Sequence, residues 1–396
     1  MIRFIDELEL KSKRVIMRVD FNVPLDDNGN ITDDNRIQAA LPSVRHALDA
    51  GARLLICSHL GRPKGHRVAK FSLLPVARRL SELLGFEVPL SPDCIGTETA
   101  DMAAGLRDGR CIMLENLRYH KGETDNDPDF AAALASLAEV YVNDAFAVSH
   151  RAHASVVGVP AILRECAGGF LMKSEITYFN RAMKDPARPM VAILGGAKVS
   201  SKLGAIENIL PKVDVLIIGG AMANTFLLAQ GYAVGKSLTE PDLVETASKL
   251  MKDAEGRGVR FMLPVDAVVA PEFRDDAPAQ VVRVDNVPDD CMILDIGPET
   301  TEAYCGALSG AGTIVWNGPM GAFEMKPFST GTMELAHAVG RSQALSIIGG
   351  GDTDLAVHLA GEKDNVSYMS TGGGAFLSLL EGRTLPGFEA LEKCGG

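Results

Sequence analysis

MVAILGGAKVSSK, residues 190–202, decides how the rest of the chain is read. Met190 to Leu194 is a short, unbroken apolar run. A run of that length suits a strand buried on both faces of a parallel sheet. Gly195-Gly196 follows at once, and glycine lets backbone N–H groups come close to an anion. A helix is expected to open directly after the turn, adding the positive potential of its N-terminus. Lys198 and Lys202 are four apart, so on that helix they share one face. Like charges there repel unless an anion sits between them. A solvated lysine face is the competing account, and the double glycine shifts the balance toward phosphate.

The same design recurs outward in both directions. Apolar runs at 14–19, 52–57, 110–114 and 140–142 precede Asp20-Phe21-Asn22, Ser58-His59-Leu60-Gly61, Glu115-Asn116 and Asn143-Asp144. Runs at 213–218, 260–265, 291–296, 313–316 and 344–348 precede Gly219-Gly220, Asp266, Gly297-Pro298, Asn317-Gly318 and Gly349-Gly350-Gly351. Amphipathic stretches lie between. In 73–84 the apolar residues recur at helical spacing, and Gly85 marks a stop. Alternating strand and helix means α/β architecture, and functional residues then gather at the carboxyl edge of each sheet. The stretch 170–183 reads as a helix ended by Asp185-Pro186-Ala187-Arg188-Pro189. We therefore expect two doubly wound parallel-sheet, Rossmann-like domains joined by a helical hinge.

Composition narrows the function. The chain has 396 residues, 46% hydrophobic and 23% charged, which is ordinary globular usage. At about 150 residues per domain, two or three domains are expected. The net charge of −12 disfavours a nucleic-acid or anionic-membrane partner. Aromatic residues are only 6%, too few for a base-stacking surface. Seven cysteines, with no CxxC pair, suit reduced thiols rather than a disulfide framework or a zinc site. The segment MIRFIDELEL lacks a secretory apolar core, and no apolar run reaches the ~18 residues of a membrane span. A cytoplasmic protein is expected.

Three glycine clusters at strand ends in the second half point to a nucleotide. Besides Gly195-Gly196, they are 349–353 (GGGDT), where Asp352 is placed to hold magnesium beside a phosphate, and 371–374 (TGGG). Familiar nucleotide motifs are missing. GYAVGKS, 231–237, is one residue short of a P-loop and follows no strong strand, so it reads as a decoy. No GxGxxG follows a strand. Asp20-Phe21-Asn22 has no accompanying HRD loop. The first half supplies Arg18, Arg36, Arg62, Arg118 and Arg151 near strand ends, with His59, His150, His153 and Asn22. Such guanidinium groups clamp anions by bidentate pairing, although each alone reads more readily as a surface ion pair. The histidines lack HExxH spacing, which disfavours zinc.

These residues carry a resemblance. VDFNVP (19–24), HLGRPKG (59–65), ENLR (115–118), YVNDAF (141–146), GGAK (195–198), WNGPMGAFE (316–324), GGGDT (349–353) and STGGGA (370–375) resemble the phosphoglycerate kinase family, in its order and across essentially the whole chain. The resemblance implies an N-terminal 3-phosphoglycerate domain over 1–170, rejoined by the C-terminal segment 373–396, and a nucleotide domain over 171–372, with a cleft between them. It implies reversible transfer of the acyl phosphate of 1,3-bisphosphoglycerate to ADP. Substrate contacts fall on Asp20, Asn22, Arg36, His59, Leu60, Gly61, Arg62, Arg118 and Arg151. Nucleotide contacts fall on Lys202, Gly219, Gly220, Asn317, Pro319, Glu324, Gly350, Gly351, Asp352 and Thr353, with Glu324 on the ribose and Asp352 on Mg2+. Arg36 and Lys198 are expected to stabilise the phosphoryl group in transfer, with Gly372, Gly373 and Gly374 as backbone donors. A monomer that closes about its hinge is expected.

Some positions depart from the pattern: Ser201 where Asp is common, Ala147 where Gly is common, and Asp354 and Phe376 where small residues are usual. Other readings are a phosphotransferase for a different acyl phosphate, a nicotinamide dehydrogenase, and a non-enzymatic role such as binding a host protein. The missing GxGxxG disfavours the dehydrogenase.

Overall fold

Val15, Met17 and Val19 face one apolar cluster, while Ile16 faces another. This period of two with both faces buried marks a central strand of a parallel sheet. In the computed structural model, which describes residues 1–394, that strand is β1 (Arg14–Val19). With β2 (Arg53–Cys57), β3 (Arg110–Met113), β4 (Val140–Asp144) and β5 (Cys166–Gly168) it forms a sheet in the order β3-β2-β1-β4-β5. Every pairing in it is parallel. The strand order reverses at β1, so the ends of β1, β2 and β4 lie beside a topological switch point.

A second parallel sheet is built the same way. It comprises β6 (Met190–Leu194), β7 (Val215–Ile218), β8 (Arg260–Met262), β12 (Thr313–Asn317), β13 (Leu345–Gly349) and β14 (Tyr368–Ser370), in the order β14-β13-β12-β6-β7-β8. Its register sets Asn317 beside Leu194, Leu194 beside Ile218, and Gly349 beside Ser370. The residues after these strands therefore emerge at one edge. Val191, Ile193, Ile217, Ile314, Trp316 and Ile348 pack one core cluster with helices 298–308 and 330–341.

Packing divides the chain into two units. One is Met1–Ile176 with the C-terminal segment from Thr384, and the other is Thr177–Arg383. The helix Phe170–Met183 spans the first crossing, with the bounds expected from sequence. The segment 373–383 belongs to the second unit, because the helix Gly373–Leu380 packs on the helix Leu203–Ile209 and on β13. Residues 395 and 396, part of the expected C-terminal segment, lie outside the described residues.

Helix signals act as read. The helix Leu74–Leu84 has Pro75 in its first turn and ends at Gly85, whose φ of 78° is left-handed. Elsewhere the structure differs from expectation. The apolar run at 291–296 does not join a parallel sheet. Its strand β11 (Met292–Ile296) pairs antiparallel with β9 (Asp266–Ala270), which also pairs antiparallel with β10 (Gln280–Arg283). No helix separates β9 from β10, and without a crossover only antiparallel pairing is open to neighbours. The expected all-reduced cysteines are also corrected: Cys166 and Cys394 are joined by a disulfide, and Cys57, Cys94, Cys111, Cys291 and Cys305 are free. No described helix is long and apolar enough to cross a membrane.

Ile193 is fully buried in the central strand of the second sheet. Ile193→Ala is expected to cost about 2–5 kcal/mol. The sole tryptophan, Trp316, is buried in the same cluster, so its fluorescence through a urea titration measures that loss.

Candidate active site

In the first unit the polar segments after β1 and β2 and the residues after β3 are knitted to one another. The Asn22 side-chain oxygen accepts from Gly61 N–H at 2.7 Å, and the Ser58 hydroxyl accepts from Phe21 N–H at 2.8 Å. The Asn116 amide donates to the Leu60 and Phe71 carbonyls at 2.7 and 2.8 Å. This places Asp20, His59 and Arg118 at one corner. Arg36 donates to Asp20, and Arg18 donates to His59 Nδ1 at 3.1 Å. A guanidinium has no acceptor, so Nδ1 is unprotonated and the His59 proton sits on Nε2. Burial, then Arg18, Arg118, Arg36 and Arg151 in turn, hold His59 well below its ordinary pKa. His153 is lowered to about 4 by burial and then by Arg118, Arg18 and Arg151. Both rings are therefore neutral at pH 7, and the 3.7 Å approaches of His59 to Asp20 and of His153 to Glu123 are not ion pairs there.

The positive charge belongs to the arginines, and one of them is unfinished. Arg118 is only 7% exposed, and its Nη1 donates to Gly61 O at 2.9 Å. Its Nε and Nη2 are buried without a partner. Burial, then Arg18 and Arg151, push its pKa down to about 10, so it stays charged at pH 7. A buried cation with two unused donors and further cations around it has the chemistry of an anion site. Arg62 is exposed on the loop after Gly61.

Sequence reasoning missed two members. Glu123 is fully buried and accepts from Ser155 N–H at 2.9 Å and from Ser155 Oγ at 2.7 Å. The Ser155 hydroxyl in turn accepts from Arg18 Nε at 2.9 Å. No local pattern signals this relay, because Glu123 and Ser155 lie in separate segments joined only by the fold.

In the second unit the glycine turns interlock. A Cβ at Gly195 would sit 2.1 Å from Pro319 O, and one at Gly220 would sit 2.6 Å from both Gly196 N and Gly196 O. Gly220 N–H donates to Met320 O, Met222 N–H to Gly196 O, and Gly195 N–H to Asn317 O. Asn317 is held in turn, donating to Gly349 O at 2.5 Å and accepting from Lys202 Nζ. Thr353 Oγ1 accepts from Gly318 N–H at 2.7 Å. The helices Gly351–Leu359 and Gly373–Leu380 start side by side, and a Cβ at Gly373 would lie 3.2 Å from Gly350 Cα. Two helix N-termini and a lysine thus face one place, with the exposed Asp352 in the first turn of one of them.

One expectation fails here. Residues 197–202 do not open a helix, since the helix starts at Leu203. The serines divert the backbone. Ser200 bonds Glu240 through both its N–H and its hydroxyl, and Ser201 Oγ donates to Lys198 O. Lys198 is therefore exposed on a loop, while Lys202 reaches inward. Glu324 is also exposed, in the turns after β12. GYAVGKS follows the helix Met222–Ala229 rather than a strand, and Lys236 N–H bonds Cys291 O while Ser237 Oγ accepts from Ile293 N–H of β11. A cavity of about 460 Å³ lined by Tyr232, Phe261, Pro264 and Arg283 shares no residue with the expected site.

A doubly wound α/β chain with an anion site on one unit and a glycine-built, helix-capped edge on the other has the class features of a phosphotransferase. The phosphoglycerate kinase family model matches residues 5–383. A phosphoglycerate kinase of Desulfotalea psychrophila is 59% identical over 98% of both chains, and one of Geobacter sp. is 57% identical over 100% of this chain and 99% of its own. The solved phosphoglycerate kinase of Coxiella burnetii superposes with a TM-score of 0.91 at 44% identity, covering all of both chains. That of Pyrococcus horikoshii gives 0.85 at 33%, covering 100% of this chain and 99% of its own. The chain belongs to the phosphoglycerate kinase family. It is an enzyme that reversibly transfers a phosphoryl group between 1,3-bisphosphoglycerate and ADP in glycolysis, with 3-phosphoglycerate and ATP as its small-molecule partners.

Burial, partly offset by Asp352 and Glu381, brings the Lys202 ammonium down to about 8. It is mostly protonated at pH 7 and loses its proton as pH rises through that value. Side-chain NMR of labelled lysines is expected to show one resonance titrating near pH 8, absent in Lys202→Arg.

Proposed function

We propose that the first unit binds 3-phosphoglycerate or 1,3-bisphosphoglycerate and that the second binds Mg-ADP or Mg-ATP. The observation that carries the first assignment is Arg118, buried and charged with two donors free. Its fork takes a phosphate or carboxylate, and Arg36, Arg151 and the exposed Arg62 complete the clamp. Asp20 orients Arg36, and Asn22 with Leu60 and Gly61 shapes the floor. His59, neutral with its proton on Nε2, offers a donor and no charge.

On the second unit the phosphates sit against Gly350, Gly351 and Thr353, with Lys202 beside them. Gly219, Gly220, Asn317 and Pro319 wall the base and ribose, and Glu324 reaches the ribose hydroxyls. Asp352 suits magnesium: it is an exposed hard-oxygen ligand beside the phosphate place, and Mg2+ is ordinarily held by one or two carboxylates plus substrate phosphates. When bound, the ion neutralises phosphate charge.

The residues need not move a proton. One acceptor is a carboxylate and the other a terminal phosphate, both ionised at pH 7. Catalysis is positioning and electrostatic stabilisation. Arg36 and Lys198 hold the equatorial oxygens, with the N–H groups of Gly373 and Gly374. The exposure of Lys198 agrees with a group that engages only when both substrates are present. The two substrates must meet, so turnover includes closure about the chain crossings near 176 and 383. We further propose a cytoplasmic monomer.

A coupled assay from 3-phosphoglycerate and Mg-ATP tests the assignments. Lys198→Ala is expected to lower kcat by about 10²-fold or more with little change in either KM; an unchanged kcat sinks its role. Arg118→Lys keeps the charge but loses the fork, and the KM for 3-phosphoglycerate should rise at least about tenfold while that for ATP holds. For Lys202, kcat/KM for ATP should fall as pH rises through about 8, and Lys202→Arg should move that fall to higher pH. Chelation of magnesium should abolish turnover.

A further inference from the structure

The helix Pro386–Cys394 is fastened at both ends within the first unit. At its start, Gly387 N–H donates to Ser149 O at 2.9 Å, and a Cβ there would lie 2.9 Å from Ser149 Cβ. Phe388 packs on Phe146 with ring centroids 6.1 Å apart. Mid-helix, Leu391 is buried in one cluster with Ala154, Val159 and Cys166. At its end, Cys394 is bonded to Cys166 of β5, with Cα atoms 5.9 Å apart, the ordinary spacing of a bridge. The helix thus lies along 146–158, the segment that carries His150, Arg151 and His153, and its contact at Ser149 is two residues from Arg151.

The same pocket also suits the reduced pair. The Leu163 carbonyl lies 3.1 Å from Cys394 Sγ, and the Pro160 carbonyl lies 3.7 Å from Cys166 Sγ. Each thiol therefore has an acceptor, so opening the bond strands no buried donor. Cys394 is half-buried, whereas Cys166 is 1% exposed. This asymmetry gives one sulfur that reagents can reach and one that resolves.

We propose that Cys166 and Cys394 form a reversible thiol–disulfide site whose closed state pins the C-terminal helix on 146–158 and so holds Arg151 in the acyl-phosphate site. The inference rests on the reading of the first unit given above. The oxidant is a small-molecule disulfide. The Cys394 thiolate attacks one of its sulfurs, forming a mixed disulfide and expelling a thiolate. The Cys166 thiolate then attacks Cys394 Sγ and expels the second thiol. The two cysteines lose two protons and two electrons, and the oxidant becomes two thiols. Reduction frees the last turn of the helix and loosens the segment beneath it.

The full-length enzyme is incubated with oxidised glutathione or with dithiothreitol, alkylated, digested and mapped, and both forms are assayed. After oxidation, the peptides of Cys166 and Cys394 should be cross-linked and neither cysteine alkylated. The reduced enzyme should show a KM for 3-phosphoglycerate raised about fivefold, the lower end of ordinary coupling between sites, with the KM for ATP unchanged. Cys394→Ser and Cys166→Ser should each behave as the reduced enzyme under both conditions. Two alkylated thiols after oxidation overturn the proposal. So does a cross-link that leaves the KM for 3-phosphoglycerate unchanged, or that moves the KM for ATP instead. The Arg118→Lys assay separately tests the substrate site, so a silent cross-link with a responsive Arg118 condemns only the switch.

Discussion

A fully buried guanidinium organises the first unit. Arg18 lies at the end of the central strand with no exposed surface. A charge in that position is costly unless it is hydrogen-bonded and balanced. Ser155 accepts from it, and Glu123 accepts from Ser155, so the counter-charge arrives through one hydroxyl. That relay ties the 154–158 turn and the short helix at 121–125 to the sheet. Burial, and after it this same charge, lowers both His59 and Arg118. The field that makes this corner receptive to anions is therefore built into the core beneath it.

The second unit solves a different problem with almost no charge. Its strand ends approach so closely that side chains are excluded at Gly195, Gly220 and Gly318, each of which would place a Cβ within 2.6 Å of backbone. Main-chain N–H groups and helix ends then form the surface itself. Such a surface is neutral enough to stay folded when empty, yet it presents aligned dipoles to a phosphate. Lys202 supplies a partly buried ammonium there, steadied by Asn317.

Most of the fold was legible because its signals are local. A five-residue apolar run such as 190–194 is buried on both faces whatever surrounds it. The 74–84 helix declares itself by periodicity, and Gly85 by its left-handed stop. What escaped depended on partners far along the chain. The antiparallel pairing of β11 with β9 follows from the connections rather than from the composition of either strand. The turn at 197–202 follows from Glu240, which captures Ser200 across forty positions. Glu123 and Ser155 carry no motif, and only the fold sets them under Arg18. Cysteine spacing was silent on Cys166 and Cys394 because 228 positions separate them. At the site, the strand-end residues were legible as types, but which donors stand unfilled on Arg118 was not.

The first unit is discontinuous: its sheet is complete by β5, yet its last helix follows the entire second unit. Translation runs from the N-terminus, and domains tend to fold as they emerge. A nascent chain therefore exposes the apolar patch around Ala154, Val159 and Cys166 until residue 391 leaves the ribosome. The second unit, whose segments are contiguous, meets no such delay. Premature termination between 383 and 391 would release a chain with a finished second half and an uncovered first half, a form suited to capture by chaperones and proteases.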